Sequence, residues 1–290
     1  SPAVMERSAR NALSCTEPNE SRTAMFERRL NATLKAQGHP IIASKLNAAA
    51  LPSYYDPALI HAKDGNASID LTLLATRIQS VGAARICLYG PPGTGKTAYG
   101  HYLSKVTGKK LMIKKASDLL SMFVGGTEKS LADAFESAKR DDAILLIDEV
   151  DSFLQDRRNA QRSWEVTAVN EMLTQMESFS GIFIASTNLI EGLDQAALRR
   201  FDFKAYFGYL QAEQAWSLFC QQCSHFGFSA TAPNLEQQVK ALTTLTPGDF
   251  AAVTRRHRFN PLSDAMALFQ SLQSECNFKE DTPKNRIGFL

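Results

Sequence analysis

No apolar run in this sequence approaches the ~20 residues that a helix needs to cross a bilayer, so a helical membrane span is not its organising feature. Net charge is nearly absent too. The 32 lysines and arginines stand against 30 acids, and a balance of +2 does not announce nucleic acid or an anionic membrane as partner. Cysteine is scarce, odd in number and scattered: Cys15, Cys87, Cys220, Cys223 and Cys276 suit a reducing compartment better than a disulfide framework, and the expected location is cytoplasmic. Cys220 and Cys223 form a lone CxxC inside a predicted helix. With no second Cys or His pair at finger spacing, helix packing outweighs a metal or redox role. There is no internal repeat, no low-complexity tract, no HExxH pair and no Ser, His and Asp set at a recognisable motif, so proteolysis would need another chain. The N-terminus, Ser1, carries neither an initiator Met nor an apolar signal region, and is expected to be the cut edge of a longer protein.

What the chain does have is enough apolar sequence for a folded core. Hydrophobic residues make up 44% and charged residues 21% of its 290 residues, which suits one large domain and a smaller one. Residues 1–50 read as a helical arm or linker, with Met25, Phe26, Leu30 and Leu34 at helical spacing before a Gly38-His39-Pro40 break. An extended lead-in with Pro and Tyr follows from Leu51 to Asp64. Ser68 is then expected to cap a helix bearing Leu71, Leu74, Ala75 and Ile78, closed by Gly82. Short apolar strands now alternate with longer periodic helices, the pattern of a parallel sheet covered on both faces. The predicted strands are Arg85–Tyr89, Lys110–Ile113, Ala143–Ile147, Gly181–Ser186 and Phe203–Phe207, with helices starting near Gly95, Glu128, Trp164 and Asp194. Beyond Leu210 the strand signal ends. Helices are predicted over Gln211–Phe226, Leu235–Leu242, Gly248–Arg256 and Leu262–Cys276. The expected class is α/β, a P-loop NTPase sheet sandwiched by helices over 51–210, followed by a small all-helical lid over 211–290.

The most informative stretch is Gly90-Pro91-Pro92-Gly93-Thr94-Gly95-Lys96-Thr97, directly after the apolar run Ile86-Cys87-Leu88-Tyr89. Its glycines let successive N–H groups converge on phosphate oxygens, and the following helix adds its positive dipole end. Within this loop Pro92, Gly93, Thr94 and Gly95 form the cradle. Lys96 would reach the β and γ phosphates, and Thr97 offers a hydroxyl to Mg²⁺. A second signal is Ala143-Ile144-Leu145-Leu146-Ile147-Asp148-Glu149, a buried strand ending in two acids at the carboxyl edge of the sheet. Asp148 would hold Mg²⁺, directly or through water. Glu149 would orient or deprotonate a water for attack on the γ phosphate.

The order of that loop, Phe123-Val124-Gly125, Asp148-Glu149, Ser186-Thr187-Asn188 and Arg199-Arg200-Phe201-Asp202 resembles an AAA ATPase, in particular the ring-forming protein remodellers, over roughly Leu51 to Arg258. The resemblance implies ATP as the nucleotide. It makes Asn188 a polar sensor, a job suited to an amide that donates and accepts without a charge. Arg199 or Arg200 would be a finger reaching a neighbouring subunit's nucleotide. The two are adjacent here, where many members separate them with a Pro-Gly pair, so the choice stays open, as does a role in capping the preceding helix. Phe123, Val124 and Gly125 would form a pore loop gripping an extended polypeptide, with Phe123 as a core residue the alternative. The polar loop Gln155–Arg162 is either a second pore-facing segment or a solvated turn. Gly248, in Thr246-Pro247-Gly248-Asp249-Phe250, would approach the base, while Arg255 or Arg256 offers a sensing arginine as in other branches. The Arg255–Arg258 cluster otherwise reads as a solvated face.

The resulting expectation is Mg²⁺-dependent ATP hydrolysis that drives remodelling, unfolding or disassembly of a protein substrate by a homo-oligomeric ring, a hexamer by resemblance. Partners are a protein substrate or adaptor, with nucleic acid not expected. The alternatives are a nucleotide-gated assembly switch that threads nothing, and a motor or loader acting on nucleic acid.

Overall fold

The structure, a computed structural model, describes residues 55–121, 125–154, 163–191 and 193–281. The predicted arm over 1–50, with Cys15, therefore lies outside the described residues. So do Phe123 and Val124, the loop Gln155–Arg162 and the last residues, 282–290.

The strands are β1 (Ala62–Asp64), β2 (Ala67–Ser68), β3 (Ala84–Tyr89), β4 (Leu111–Lys115), β5 (Ile144–Asp148), β6 (Ile182–Thr187) and β7 (Phe203–Phe207). They form one sheet in the order β2-β1-β7-β3-β6-β5-β4. β7, β3, β6, β5 and β4 run parallel, and these are the five strands predicted from sequence, each within two residues at either end. The β1–β2 hairpin, antiparallel to β7, was not predicted. Elements of two and three residues are too short to show alternation.

Why the order takes this form is visible in the strands themselves. β5 and β6 are apolar on both faces and wholly buried apart from Asp148, as central strands covered on two sides must be. β4 lies at the edge, half-exposed, with Lys109, Lys110, Lys114 and Lys115 around its apolar centre; lysines at such a rim disfavour pairing with another chain.

Around the sheet stand α1 (Leu71–Val81), α2 (Lys96–Thr107), α3 (Ala116–Leu119), α4 (Gly126–Arg140), α5 (Ser163–Ser178) and α6 (Gln195–Leu198). Leu71, Leu74, Ala75 and Ile78 of α1 bury against the face that also holds Tyr99 and Leu103 of α2 and Ile86 and Leu88 of β3. Leu131 and Phe135 of α4 and Met172 and Met176 of α5 cover the other face. The N-cap of α1 is Asp70, not Ser68: its carboxylate accepts the N–H of Thr72 at 2.9 Å and of Leu73 at 3.0 Å, while Ser68 ends β2. Both are cap-forming residue types, and only the hairpin decides which one stands at the helix start. Gly82 ends α1 in the left-handed region, as expected.

After β7 the elements among the described residues are helices: α7 (Ala212–Phe226), α8 (Leu235–Lys240), α9 (Pro247–His257) and α10 (Ala265–Asp281). They share a separate core of Leu218, Phe219, Val239, Phe250, Val253 and Leu272. Cys223 and Cys276 are buried in it, and Cys87, Cys220 and Cys223 are free thiols. Among the described residues no helix is long and apolar enough to cross a membrane.

Candidate nucleotide site

Strand register builds the site. Tyr89 of β3 pairs with Thr187 of β6, and Asp148 of β5 pairs with Ser186. The residues that follow these strands, Gly90, Asn188 and Glu149, therefore emerge together at the carboxyl rim of the sheet, where ligands of open α/β sheets bind. Gly90 is wedged there: with φ of +131°, a Cβ on it would lie 2.1 Å from the Phe207 carbonyl oxygen at the end of β7. The loop then winds through Gly93 and Gly95, both at positive φ, into α2.

Lys96 is buried and folds back along this loop. Its Nζ donates to Gly90 O at 2.7 Å, Pro91 O at 2.9 Å and Asn188 Oδ1 at 2.8 Å. Burial pushes its ammonium down to about 8, against the pull of Asp148 and Asp151. Thr97 Oγ1 donates to Asp148 Oδ2 at 3.2 Å. The other oxygen of Asp148 accepts the Ser186 hydroxyl and, at 3.1 Å, the Glu149 N–H. Glu149 takes φ of 60° and ψ of 44°, a left-handed conformation that costs a non-glycine residue on the order of 1 kcal/mol or more. That turn sets its exposed side chain off the strand direction at the rim.

One carboxylate at this rim carries no role in the sequence reading. Asp151 lies in the short 3-10 turn Val150–Ser152 and accepts the Thr187 hydroxyl. Thr187 Oγ1 in turn accepts the Leu189 N–H at 3.0 Å, so Asp151 braces the turn that carries Asn188. Burial raises the Asp151 pKa, with repulsion from Glu149 and Asp148 adding to it. Its place in the run Asp148-Glu149-Val150-Asp151 was the available signal.

A cavity of about 360 Å³ opens on these groups, a size suited to a small organic ligand. Pro92, Gly93, Gly95, Lys96, Thr97, Asp148, Glu149 and Asn188 are among the residues that line it. Its apolar lining includes Tyr55, Leu59, Ile60, Leu218 and Ala251, none of which the sequence reading singled out, and Tyr55 and Ile60 stand beside Gly95. The Tyr55 hydroxyl there is buried without a hydrogen-bond partner among the described residues. Gly248 closes the gap between lid and loop: its N–H donates to Gly93 O at 2.8 Å.

Thr94 is buried as well, donating to Pro91 O at 2.9 Å, so its hydroxyl holds the loop's shape. The two arginines separate by environment. Arg200 donates to Glu177 Oε1 at 2.6 Å and to Ala196 O at 2.8 Å, closing the last turn of α6. Arg199 is exposed and makes no ion pair or side-chain hydrogen bond among the described residues. Asp202 clamps the start of β3, accepting the Arg85 N–H at 2.8 Å. Of the pore-loop trio only Gly125 is described, as the left-handed N-cap of α4. Arg255, Arg256 and Arg258 are exposed on α9 and its end, and Arg256 pairs with Glu275 at 2.5 Å.

A five-stranded parallel core with a glycine loop, a lysine and an acid pair at its carboxyl rim defines a P-loop nucleotide-binding fold. Comparison with known proteins narrows the class. Residues 86–209, somewhat under half of the chain, match the family described as ATPase family associated with various cellular activities (AAA). It is similar to the protein SUPPRESSOR OF K(+) TRANSPORT GROWTH DEFECT 1 of Arabidopsis thaliana, 28% identical over 63% of this chain and 45% of that protein. It is also similar to Vacuolar protein sorting-associated protein 4 of Dictyostelium discoideum, 32% identical over 56% of this chain and 37% of the relative. Fidgetin-like protein 1 of Homo sapiens is 27% identical over 61% of this chain and 27% of its own length. The chain thus spans less than half the length of each of these relatives.

Proposed function

We propose that this chain hydrolyses ATP with Mg²⁺ and uses the cycle to remodel or disassemble a protein substrate as part of an oligomeric ring. The observation that carries the proposal is the convergence of Lys96, Thr97, Asp148, Glu149 and Asn188 on one cavity that the helical part covers.

Each residue has a task that its surroundings support. The amides of the Pro92–Gly95 loop and the Lys96 ammonium offer positive charge to phosphate oxygens. Lys96 now spends its three protons on two carbonyls and Asn188, so a triphosphate would have to outcompete those bonds, and Asn188 would be freed as Lys96 turns. The Thr97 hydroxyl and the Asp148 carboxylate are hard oxygen donors already facing each other, a donor set that fits Mg²⁺. Bound there, the ion would neutralise charge on the phosphates. Glu149 is the candidate base, its carboxylate at the same rim and beyond the hydrogen bonds that occupy Asp148. Arg199 is the candidate finger, because Arg200 is already engaged within its own chain.

Ring assembly follows from this assignment, since an exposed Arg199 serves catalysis only in a neighbour's site. The protein substrate is supported by the Phe123-Val124-Gly125 resemblance and by the kinship with Vacuolar protein sorting-associated protein 4 and Fidgetin-like protein 1. A basic stripe for nucleic acid finds little support, as one of the three arginines around His257 is paired with Glu275. Three free thiols among the described residues, Cys87, Cys220 and Cys223, support a reducing, cytoplasmic location.

The test is Glu149→Gln. It should bind Mg-ATP as the unaltered chain does while losing at least ~100-fold in turnover, the usual scale for a removed general base. Full turnover by the variant would remove Glu149 from the chemistry.

A further inference from the structure

We propose that Lys279, on the last described helix and far from the phosphate loop in sequence, is a positioning residue that holds the lid against that loop and so sets nucleotide affinity. The proposal rests on the nucleotide reading above.

The chain of contacts is short. Lys279 Nζ lies 2.5 Å from Asp249 Oδ2, donates to Thr244 O at 2.9 Å and stands 5.8 Å from the centroid of the Tyr209 ring. Asp249 is buried, and the same Oδ2 accepts the Thr246 N–H at 2.7 Å and the Thr246 hydroxyl at 2.8 Å. That reciprocal cap fixes the first turn of α9. Gly248, between Thr246 and Asp249, is the residue whose N–H meets Gly93 O of the phosphate loop. Thr246 Oγ1 also abuts Gly93, 3.0 Å from where a Cβ on it would stand. One ammonium therefore ties together three things. These are Tyr209 just after β7, the carbonyl before the cap, and the cap itself.

Charge explains why a cation is needed here. A buried carboxylate with three donors is stable only while they remain, and Lys279 supplies the charged one. Removing it leaves Asp249 held by Thr246 and the helix dipole alone. The carboxylate then relaxes toward water, the first turn of α9 follows, and Gly248 leaves its place over Gly93. The phosphates and metal donors are untouched by this change. The loss should fall on binding and not on the chemical step.

The experiment compares the whole chain with K279M, which keeps the aliphatic stem, and with K279R, which restores a cation. Mg-ATP turnover and binding of a fluorescent ADP analogue are both measured. K279M should raise KM and the ADP dissociation constant roughly tenfold, as loss of a buried charged hydrogen bond implies, with kcat within about twofold. K279R should recover the larger part of the affinity. A folded K279M with unchanged KM and ADP binding overturns the proposal, as does a fall in kcat with KM unchanged. Should K279M not fold, D249N asks the same question from the other partner. A raised KM supports the proposal and an unchanged KM defeats it. A whole chain that binds no nucleotide defeats the nucleotide reading itself, an outcome distinct from normal binding that K279M leaves intact.

Discussion

Replacing Gly248 with alanine tests whether the lid must touch the phosphate loop. Gly248 has no positive φ, so its need for glycine is one of contact and not of torsion. A Cβ there would stand 2.7 Å from Gly93 Cα, 2.9 Å from Gly93 O and 3.3 Å from Gly93 C, all backbone atoms. Carbon contacts are comfortable at about 3.5–4.0 Å, so the start of α9 must retreat by roughly 1 Å. The loop cannot give way easily, because Gly90 is wedged on Phe207 and Lys96 holds Gly90 O and Pro91 O. A retreat of that size takes the Gly248 N–H out of bonding range of Gly93 O, losing about 1 kcal/mol with some strain besides. Mg-ATP affinity measured by calorimetry should fall roughly tenfold, with a melting temperature lower by about 2–6 °C. Gly82→Ala is the control. That glycine has φ of +79° with nothing within 4 Å of a Cβ, so alanine should cost about 1 kcal/mol of stability and leave nucleotide binding alone. Unchanged affinity in a folded Gly248→Ala, or an equal loss in Gly82→Ala, would refute the reasoning.

Two further outcomes follow from the site. Burial holds Lys96 down to about 8, and phosphates beside it would raise its pKa again. Binding should therefore take up close to one proton at about pH 9, and affinity should hold below about pH 8 and weaken as pH rises above it. Calorimetry in two buffers of different ionisation enthalpy checks this, and buffer-independent heats at the higher pH would contradict it. The arginines should also part company: Arg199→Ala should cut turnover of the assembled protein by on the order of 10³-fold with nucleotide binding kept, whereas Arg200→Ala should chiefly lower stability. ATPase rates followed against protein concentration decide it, with equal turnover losses in both variants the adverse result.

The central strands were legible because each carries its signal locally. Ile144-Leu145-Leu146-Ile147 and Ile182-Phe183-Ile184 are apolar on both faces, so they could only be buried strands, and polar residues just beyond them had to stand at the sheet rim. Asp148 was read on that basis, Lys96 from the glycine loop and Asn188 from the family resemblance, and register then brings them together. What stayed hidden depends on contacts distant in sequence. Tyr55, Leu59 and Ile60 become cavity wall through contacts distant in sequence, among them Leu59 against the helical core, and nothing in Tyr55–Ile60 alone announces that. Asp202 looks like the end of a motif until Arg85, 117 positions away, is seen donating to it. Glu177 likewise engages Arg200 from 23 residues off. Ser68 and Asp70 are equally good caps in sequence; the two-residue strand β2 settled the matter for Asp70.

The central claim is that this rim binds a magnesium-bound triphosphate through Lys96 and its loop. The most direct measurement is a calorimetric titration of the whole chain with ATP, with and without Mg²⁺, repeated on Lys96→Ala. Binding that depends on the metal and weakens by at least about tenfold in the variant is predicted. No uptake of nucleotide by the unaltered chain, or affinity indifferent to Lys96, would contradict it.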